Sequence, residues 1–298
     1  MENETISAQP VSEWTRKKVP IWGTIGEALG FAAKNYQLFF LIMLAGFAIQ
    51  AANIFIPSTK NLLINIIIIL MALAGLFMSL WSNVAIITAM DGRYNKHDIK
   101  FKESFAASLG KIWQFVINSI VKFFITIFGA LLLVIPGLYF GIIYGFVPIA
   151  VVVEDHRFIS PFRMSAALVK HYFWMVVGYG LAMFAVMVPV IIACATPAVY
   201  FVMKDPEAAK NLKTNPLMPF ILVAIYLADA AILPFIHSMN YLLYAKLKEA
   251  KEGSKELSSL EALKPKMNGC LIAVLFVILT LVLTLIFYFL FRGIVPHK

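Results

Sequence analysis

The run Leu62–Ala85 reads LLINIIIILMALAGLFMSLWSNVA, and none of its twenty-four residues is charged. As a helix it would extend about 36 Å, enough to cross a hydrocarbon core about 30 Å thick. Runs of the same kind recur along the chain: Leu38–Ile56, Ile112–Ile135, Leu138–Val153, Tyr172–Ala193, Leu217–Leu243 and Cys270–Phe291. The Leu138–Val153 run is the shortest, and Pro136-Gly137 leaves almost no loop before it. Residues 112–153 therefore read either as a full hairpin or as one that only dips into the membrane. In both cases residues 111 and 154 return to the same side.

Of the 298 residues 61% are apolar and 14% charged, whereas soluble domains carry about a quarter charged residues. Surface-to-volume scaling obliges a soluble chain of this size to keep more polar groups outside, which excludes a soluble globular enzyme. The fold class expected is all-α: a polytopic bundle of six or seven transmembrane helices, with amphipathic interfacial helices on the cytoplasmic face. Residues 1–20 form a polar tail without a signal-peptide core, 21–245 a six-span membrane domain, 246–267 a charged cytoplasmic linker, and 268–298 an additional span with a short tail.

The net charge of +9 requires no nucleic-acid partner, because basic loops set orientation in a bilayer and meet anionic headgroups. Eighteen Lys and Arg fall on the side that carries Arg16, Arg93, Arg163 and Lys246, against six on the side of Lys60 and Lys204. This asymmetry places the N-terminus in the cytoplasm and the C-terminus outside. Cys194 and Cys270 both lie in apolar runs and suggest core thiols without a disulfide framework.

Three segments ahead of a span share one pattern. Ile25, Leu29, Ala32 and Tyr36 stand at offsets 0, 4, 7 and 11, as do Phe101, Phe105, Ser108 and Ile112, and Phe162, Ala166, Val169 and Phe173. That spacing gathers each set on one helical face. The segments close on Lys34-Asn35-Tyr36, Lys111-Ile112-Trp113 and Lys170-His171-Tyr172, where lysine snorkelling beside an interfacial ring is the expected arrangement. Three interfacial helices, each feeding a hairpin, follow. Ser160 as N-cap and Pro161 behind it start the third.

Gly137, Gly141 and Gly145 recur every fourth residue and suggest a small-residue packing face, or a groove for a lipid chain. The same neighbourhood carries a family resemblance. Ile135-Pro136-Gly137-Leu138-Tyr139-Phe140, Pro148, Glu154, Ser165-Ala166-Ala167-Leu168-Val169-Lys170 and Trp174 resemble the membrane domain fused to some glycerophosphoryl diester phosphodiesterases, and the YciC-type bacterial inner-membrane proteins. The resemblance is clearest over residues 129–174. It implies a bacterial inner-membrane location. The phosphodiesterase's catalytic domain has no counterpart here, so no catalytic residue carries over.

Lys122 and Asp229 fall near the middle of their runs, where a charge costs about 3 kcal/mol on insertion scales. They admit three readings: an ion relay, a structural Lys122–Asp229 pair, or a lysine that snorkels because its span starts later. His237 lies two turns beyond Asp229. Glu154, Arg157, Ser160 and Arg163 form a candidate headgroup site, with arginines on phosphate, or else a solvated loop with local ion pairs. Pro148, Pro189, Pro197 and Pro234 interrupt runs, as prolines do both in transporter sites and in ordinary membrane helices. Asn65, Asn83, Asn118 and Asn240 are read as interhelical hydrogen-bonding groups. No zinc-protease, P-loop or paired Cys-x-x-Cys motif is present, and neither metal nor cofactor is implied.

The sequence thus suggests a non-enzymatic integral inner-membrane protein that interacts with membrane lipids or supports envelope homeostasis, with a homo-oligomer or another membrane protein as candidate partner. The alternative is a small-solute or lipid transporter using Lys122, Asp229 and proline-broken helices.

Overall fold

The computed structural model describes residues 18–56, 61–132, 134–155, 158–204 and 218–252. The chain divides into two units, Met1–Ala262 and Leu263–Lys298. The second, with the expected span Cys270–Phe291, lies outside the described residues, as do the N-terminal tail to residue 17 and the linker beyond residue 252.

Every described element is a helix: α1 (Ile21–Lys34), α2 (Tyr36–Ile54), α3 (Leu62–Tyr94), α4 (Phe101–Ser108), α5 (Ile112–Leu132), α6 (Val134–Ile143), α7 (Val147–Val153), α8 (Ser160–Lys170), α9 (Phe173–Lys204) and α10 (Met218–Lys251). A single 3₁₀ turn, Leu109–Lys111, joins α4 to α5. Six helical stretches are long and apolar enough to cross a membrane: Tyr36–Ile54, Leu62–Tyr94, Phe101–Leu131, Val134–Val153, Phe173–Cys194 and Pro219–Lys251. This is the layout of a multi-pass membrane protein. An all-helical answer is what hydrocarbon permits, because helices satisfy their own backbone groups.

The three expected short helices are present as α1, α4 and α8, each ahead of a long one. Each buries its apolar stripe on the bundle: Ile25, Ala28 and Ala32 in α1, Phe105 in α4, Phe162 and Val169 in α8. The aromatic that closes each segment behaves less uniformly. Tyr172 is buried and Tyr36 stacks on Phe40 at 5.6 Å, so only Trp113 points outward as expected.

Two helices run past their apolar stretches. α3 continues from Ala85 to Tyr94, and α10 from Leu243 to Lys251. Their polar ends pack on one another, the Tyr94 hydroxyl of α3 donating to Glu249 of α10. α9 likewise remains helical through Pro189 and Pro197 to Lys204, past the span's expected end at Ala193.

Close helix approach occurs at glycines. A Cβ on Gly46 would stand 2.7 Å from Ser82 Oγ, and one on Gly75 2.8 Å from Gln50 Cγ, so α2 and α3 meet over small residues. In the α5–α6 hairpin a Cβ on Gly137 would stand 2.6 Å from the Ala130 backbone, and one on Gly129 2.8 Å from Phe140. The expected face of Gly137, Gly141 and Gly145 is therefore corrected. Gly141 has 3.7 Å to Thr126, and Gly145 lies in the turn between α6 and α7, because the helix stops at Ile143. Only Gly137 makes the tight contact, and its partner surface is Gly129-Ala130. Accordingly, Gly137→Ala should lower stability by about 1–3 kcal/mol through overpacking, while Gly141→Ala should be neutral or gain up to about 1 kcal/mol. Titration of the detergent-solubilised protein with dodecyl sulfate, followed by circular dichroism, measures both.

Candidate functional site

The last three turns of α10 gather the polar side chains of one end of the bundle. Tyr241 donates to Asp91 Oδ1 at 2.9 Å, and Tyr244 to Glu154 Oε1 at 3.1 Å. Lys246 pairs with Glu27 of α1 at 3.0 Å. Lys248 pairs with Glu154 at 2.6 Å. Glu249 accepts from the Tyr94 hydroxyl, and the ammonium of buried Lys251 donates to Ala167 O in α8. One helix end thus ties α1, the end of α3, the end of α7 and α8 together.

Carboxylates that could oppose headgroup phosphate are engaged inside the protein. The Glu154 side chain is only 14% exposed and is held by Lys248 and Tyr244, so it faces the bundle. Of its expected companions, Arg163 is exposed on α8 and Ser160 is buried at its start, while Arg157 lies outside the described residues. Asp155 after α7 and Phe158 before α8 have φ of 50° and 62°, in the left-handed region.

Lysines here terminate helices. A helix C-terminus presents unpaired carbonyls and partial negative charge, which a cation satisfies. Lys111, expected to snorkel, donates to Val152 O of α7 at 2.6 Å. Lys251 does the same for α8. Lys122 reaches Gly145 O at 3.4 Å, in the break between α6 and α7. Pro148 near the start of α7 has no N–H for the preceding turn, which fixes the break there. Ser165 of α8 closes the rest of it, donating to Ile143 O at 2.6 Å and accepting from Phe146 N at 3.2 Å.

The structure does not bring Lys122 and Asp229 together. Lys122 faces the broken fourth stretch, whereas Asp229 is exposed on α10 and makes no ion pair among the described residues. The asparagines also differ from expectation. Asn83, Asn118 and Asn240 donate to Ser79 O, Gln114 O and Ile236 O, each four residues back in its own helix, as short polar side chains within helices do. Other side chains bridge helices there, among them Gln50 to Gly75 O at 3.3 Å, Asn53 to Ile68 O at 3.5 Å and Tyr179 to Met239 O at 2.9 Å. Among the described residues no group of three His, Cys, Asp or Glu converges as metal ligands would.

Residues 104–237 match the model of a domain of unknown function, DUF7847. No curated protein and no solved structure matches the chain. The matched stretch holds the α5–α7 hairpin, the break and Ser165, and stops before the tying end of α10.

A second feature of this end faces outward. Trp22, Trp113 and Trp174 are 68%, 66% and 81% exposed, and each is the second residue of its helix: Trp22 opens α1 itself, while Trp113 and Trp174 open the long helices that follow α4 and α8. Trp22 and Trp174 belong to neighbouring elements, since Ile21 Cδ1 would stand 3.2 Å from a Cβ on Gly178. Among the described tryptophans Trp81 differs, its indole N–H bonded to Phe105 O and Ser108 Oγ at 3.0 Å each.

The Glu154–Lys248 pair anchors α10, so Glu154→Gln or Lys248→Met should each cost about 1–3 kcal/mol. The double variant should fall short of the sum by about 1 kcal/mol or more. A double-mutant cycle in thermal unfolding reads the coupling.

Proposed function

We propose that this chain is a non-enzymatic integral protein of the bacterial inner (cytoplasmic) membrane, N-terminus inside, whose short-helix end works on the lipid surface. Its role would be to organise or sense lipid, or to support envelope homeostasis. The observation that carries this reading is the set of exposed indoles, Trp22, Trp113 and Trp174, each in the first turn of α1, α5 or α9, beside the amphipathic short helices whose other faces are buried. Large amphipathic rings at such positions belong at the headgroup boundary. The orientation rests on the eighteen-to-six distribution of Lys and Arg, and the compartment on the resemblance of residues 129–174.

Lys122 capping a helix break and Asp229 exposed on another helix favour this reading over coupled transport, which would draw on both charges. Tryptophan fluorescence in vesicles tests it. Lipids brominated near the headgroup should quench the parent strongly, and the triple variant Trp22→Phe, Trp113→Phe, Trp174→Phe should lose most of that quenching. Equal quenching in the two proteins would refute the assignment. In an ion-driven uptake assay on the same vesicles, parent and Asp229→Asn should both move no solute; uptake by the parent alone would establish transport instead.

A further inference from the structure

Asp229 carries a carboxyl group at a level of α10 where the protein offers it nothing to bind. It stands ten residues after Pro219, where the apolar stretch begins, and twelve before Tyr241, whose hydroxyl already belongs to the polar end of the bundle. Those intervals are about 15 Å and about 18 Å along a helix, which centres Asp229 in a stretch matched to a hydrocarbon core about 30 Å thick. A lysine can snorkel from depth along its long stem; the single methylene of aspartate reaches nowhere. The residue is exposed, and among the described residues it meets neither a hydrogen-bond donor nor a cation.

The chain's own cations are placed elsewhere. Lys122 is turned to Gly145 O in the break between α6 and α7, and His237 stands eight residues, about 12 Å, farther along α10. The run Cys270–Phe291 reads CLIAVLFVILTLVLTLIFYFLF, without a cation or an amide side chain. A second copy meeting this face about a twofold axis would set carboxyl against carboxyl. The surroundings of Asp229 are those of a helix seam. Leu222, Ile225, Asp229, Ile232 and Ile236 follow one another at alternating steps of three and four, which gathers them in one stripe. Leu222 and Ile225 are 37% and 41% exposed, and Ile232 and Ile236 are half-buried. The stripe stands to one side of the contact with α2, which is marked by Tyr226 stacked on Phe47 at 5.5 Å and by buried Ala230. One polar group within such a seam selects partner and register at a cost in stability.

We propose that this face of α10 docks a transmembrane helix of another membrane protein, one that carries an arginine or lysine near the bilayer centre to pair with Asp229. A carboxylate alone at that depth is costly, and so is a cation alone. Brought together they cancel much of both costs, and their attraction is little screened in a medium of low dielectric constant. Apolar surface cannot supply that drive, because lipid tails solvate a leucine face as well as another helix does. An arginine fits best, since its planar fork meets both carboxylate oxygens. A helix without a cation would leave the carboxyl covered and unpaired, so the same residue rejects wrong partners. The proposal is independent of the lipid-surface reading, which rests on the indoles at the other end of the long helices.

The test uses the full chain in phosphatidylcholine vesicles, with Cys194 and Cys270 replaced by alanine and a donor dye on Glu252→Cys. The probe is an acceptor-labelled synthetic helix of about twenty leucine and alanine residues with one arginine at its centre. Energy transfer to it should exceed, several-fold, that to the same peptide with leucine in place of arginine. Asp229→Leu should abolish the difference and Asp229→Asn should reduce it. Moving the arginine two turns toward either end of the peptide should bring transfer down to the leucine level. Equal transfer to the two peptides, a preference that survives Asp229→Leu, or one indifferent to the arginine's depth would each overturn the proposal. Transfer between donor- and acceptor-labelled copies of the parent that falls in Asp229→Leu would give the face to a second copy and overturn it too. Without peptide, Asp229→Leu should unfold at the same or a higher dodecyl sulfate fraction than the parent. A lower one would reveal a partner for Asp229 within the chain, against the proposal.

Discussion

Hydrocarbon offers no hydrogen-bond partner, and this one constraint organises the molecule. Each backbone group must be answered within the chain, so the described elements are helices and the irregular points among them are plugged by side chains. The break between α6 and α7 shows the rule at work. It frees carbonyls and an amide, and Ser165 and Lys122 are delivered from two other helices to meet them. Lys111 and Lys251 perform the same office at the ends of α7 and α8.

The constraint also accounts for how the bundle is held. Between lipid-facing helices apolar burial supplies little net drive, so association relies on close approach and directed polar contacts. Glycines provide the first at Gly46, Gly75, Gly129 and Gly137. The end of α10 provides the second, with tyrosines, lysines and Glu249 paired to Glu27, Asp91, Tyr94, Glu154 and Ala167 on four other elements or their ends. Outward-facing indoles beside this tightly joined end fit the lipid-surface role proposed above.

Much of this was legible in the residues alone. Apolar runs about twenty residues long locate the spans, because the thickness of the bilayer sets their length, and stripes at helical spacing locate α1, α4 and α8. What the sequence left hidden depends on partners. Gly129 and Gly46 look like any other glycine until the helix opposite is known, and the regular spacing of Gly137, Gly141 and Gly145 misleads because the helix ends at Ile143. Lys111 reads as a snorkelling lysine, yet a carbonyl forty-one residues away claims it. Asn83, Asn118 and Asn240 read as bridges between helices, but each donates to the carbonyl four residues back in its own helix. Glu154 reads as a rim charge, and only the extension of α10 past Leu243 turns it inward. The exposed tryptophans were visible as residues; their common placement in the first turns of α1, α5 and α9 required the fold.

The account stands on α2, α3, α9 and α10 each carrying the chain from one face of a membrane to the other, with the short helices on one face. Side-specific labelling of single-cysteine variants in oriented vesicles measures this most directly. The variants His97→Cys, Ile159→Cys and Glu252→Cys should react with an impermeant reagent from one side, and Asn61→Cys and Lys204→Cys from the opposite side. Reaction of position 61 or 204 from the side that reaches position 97 would contradict it.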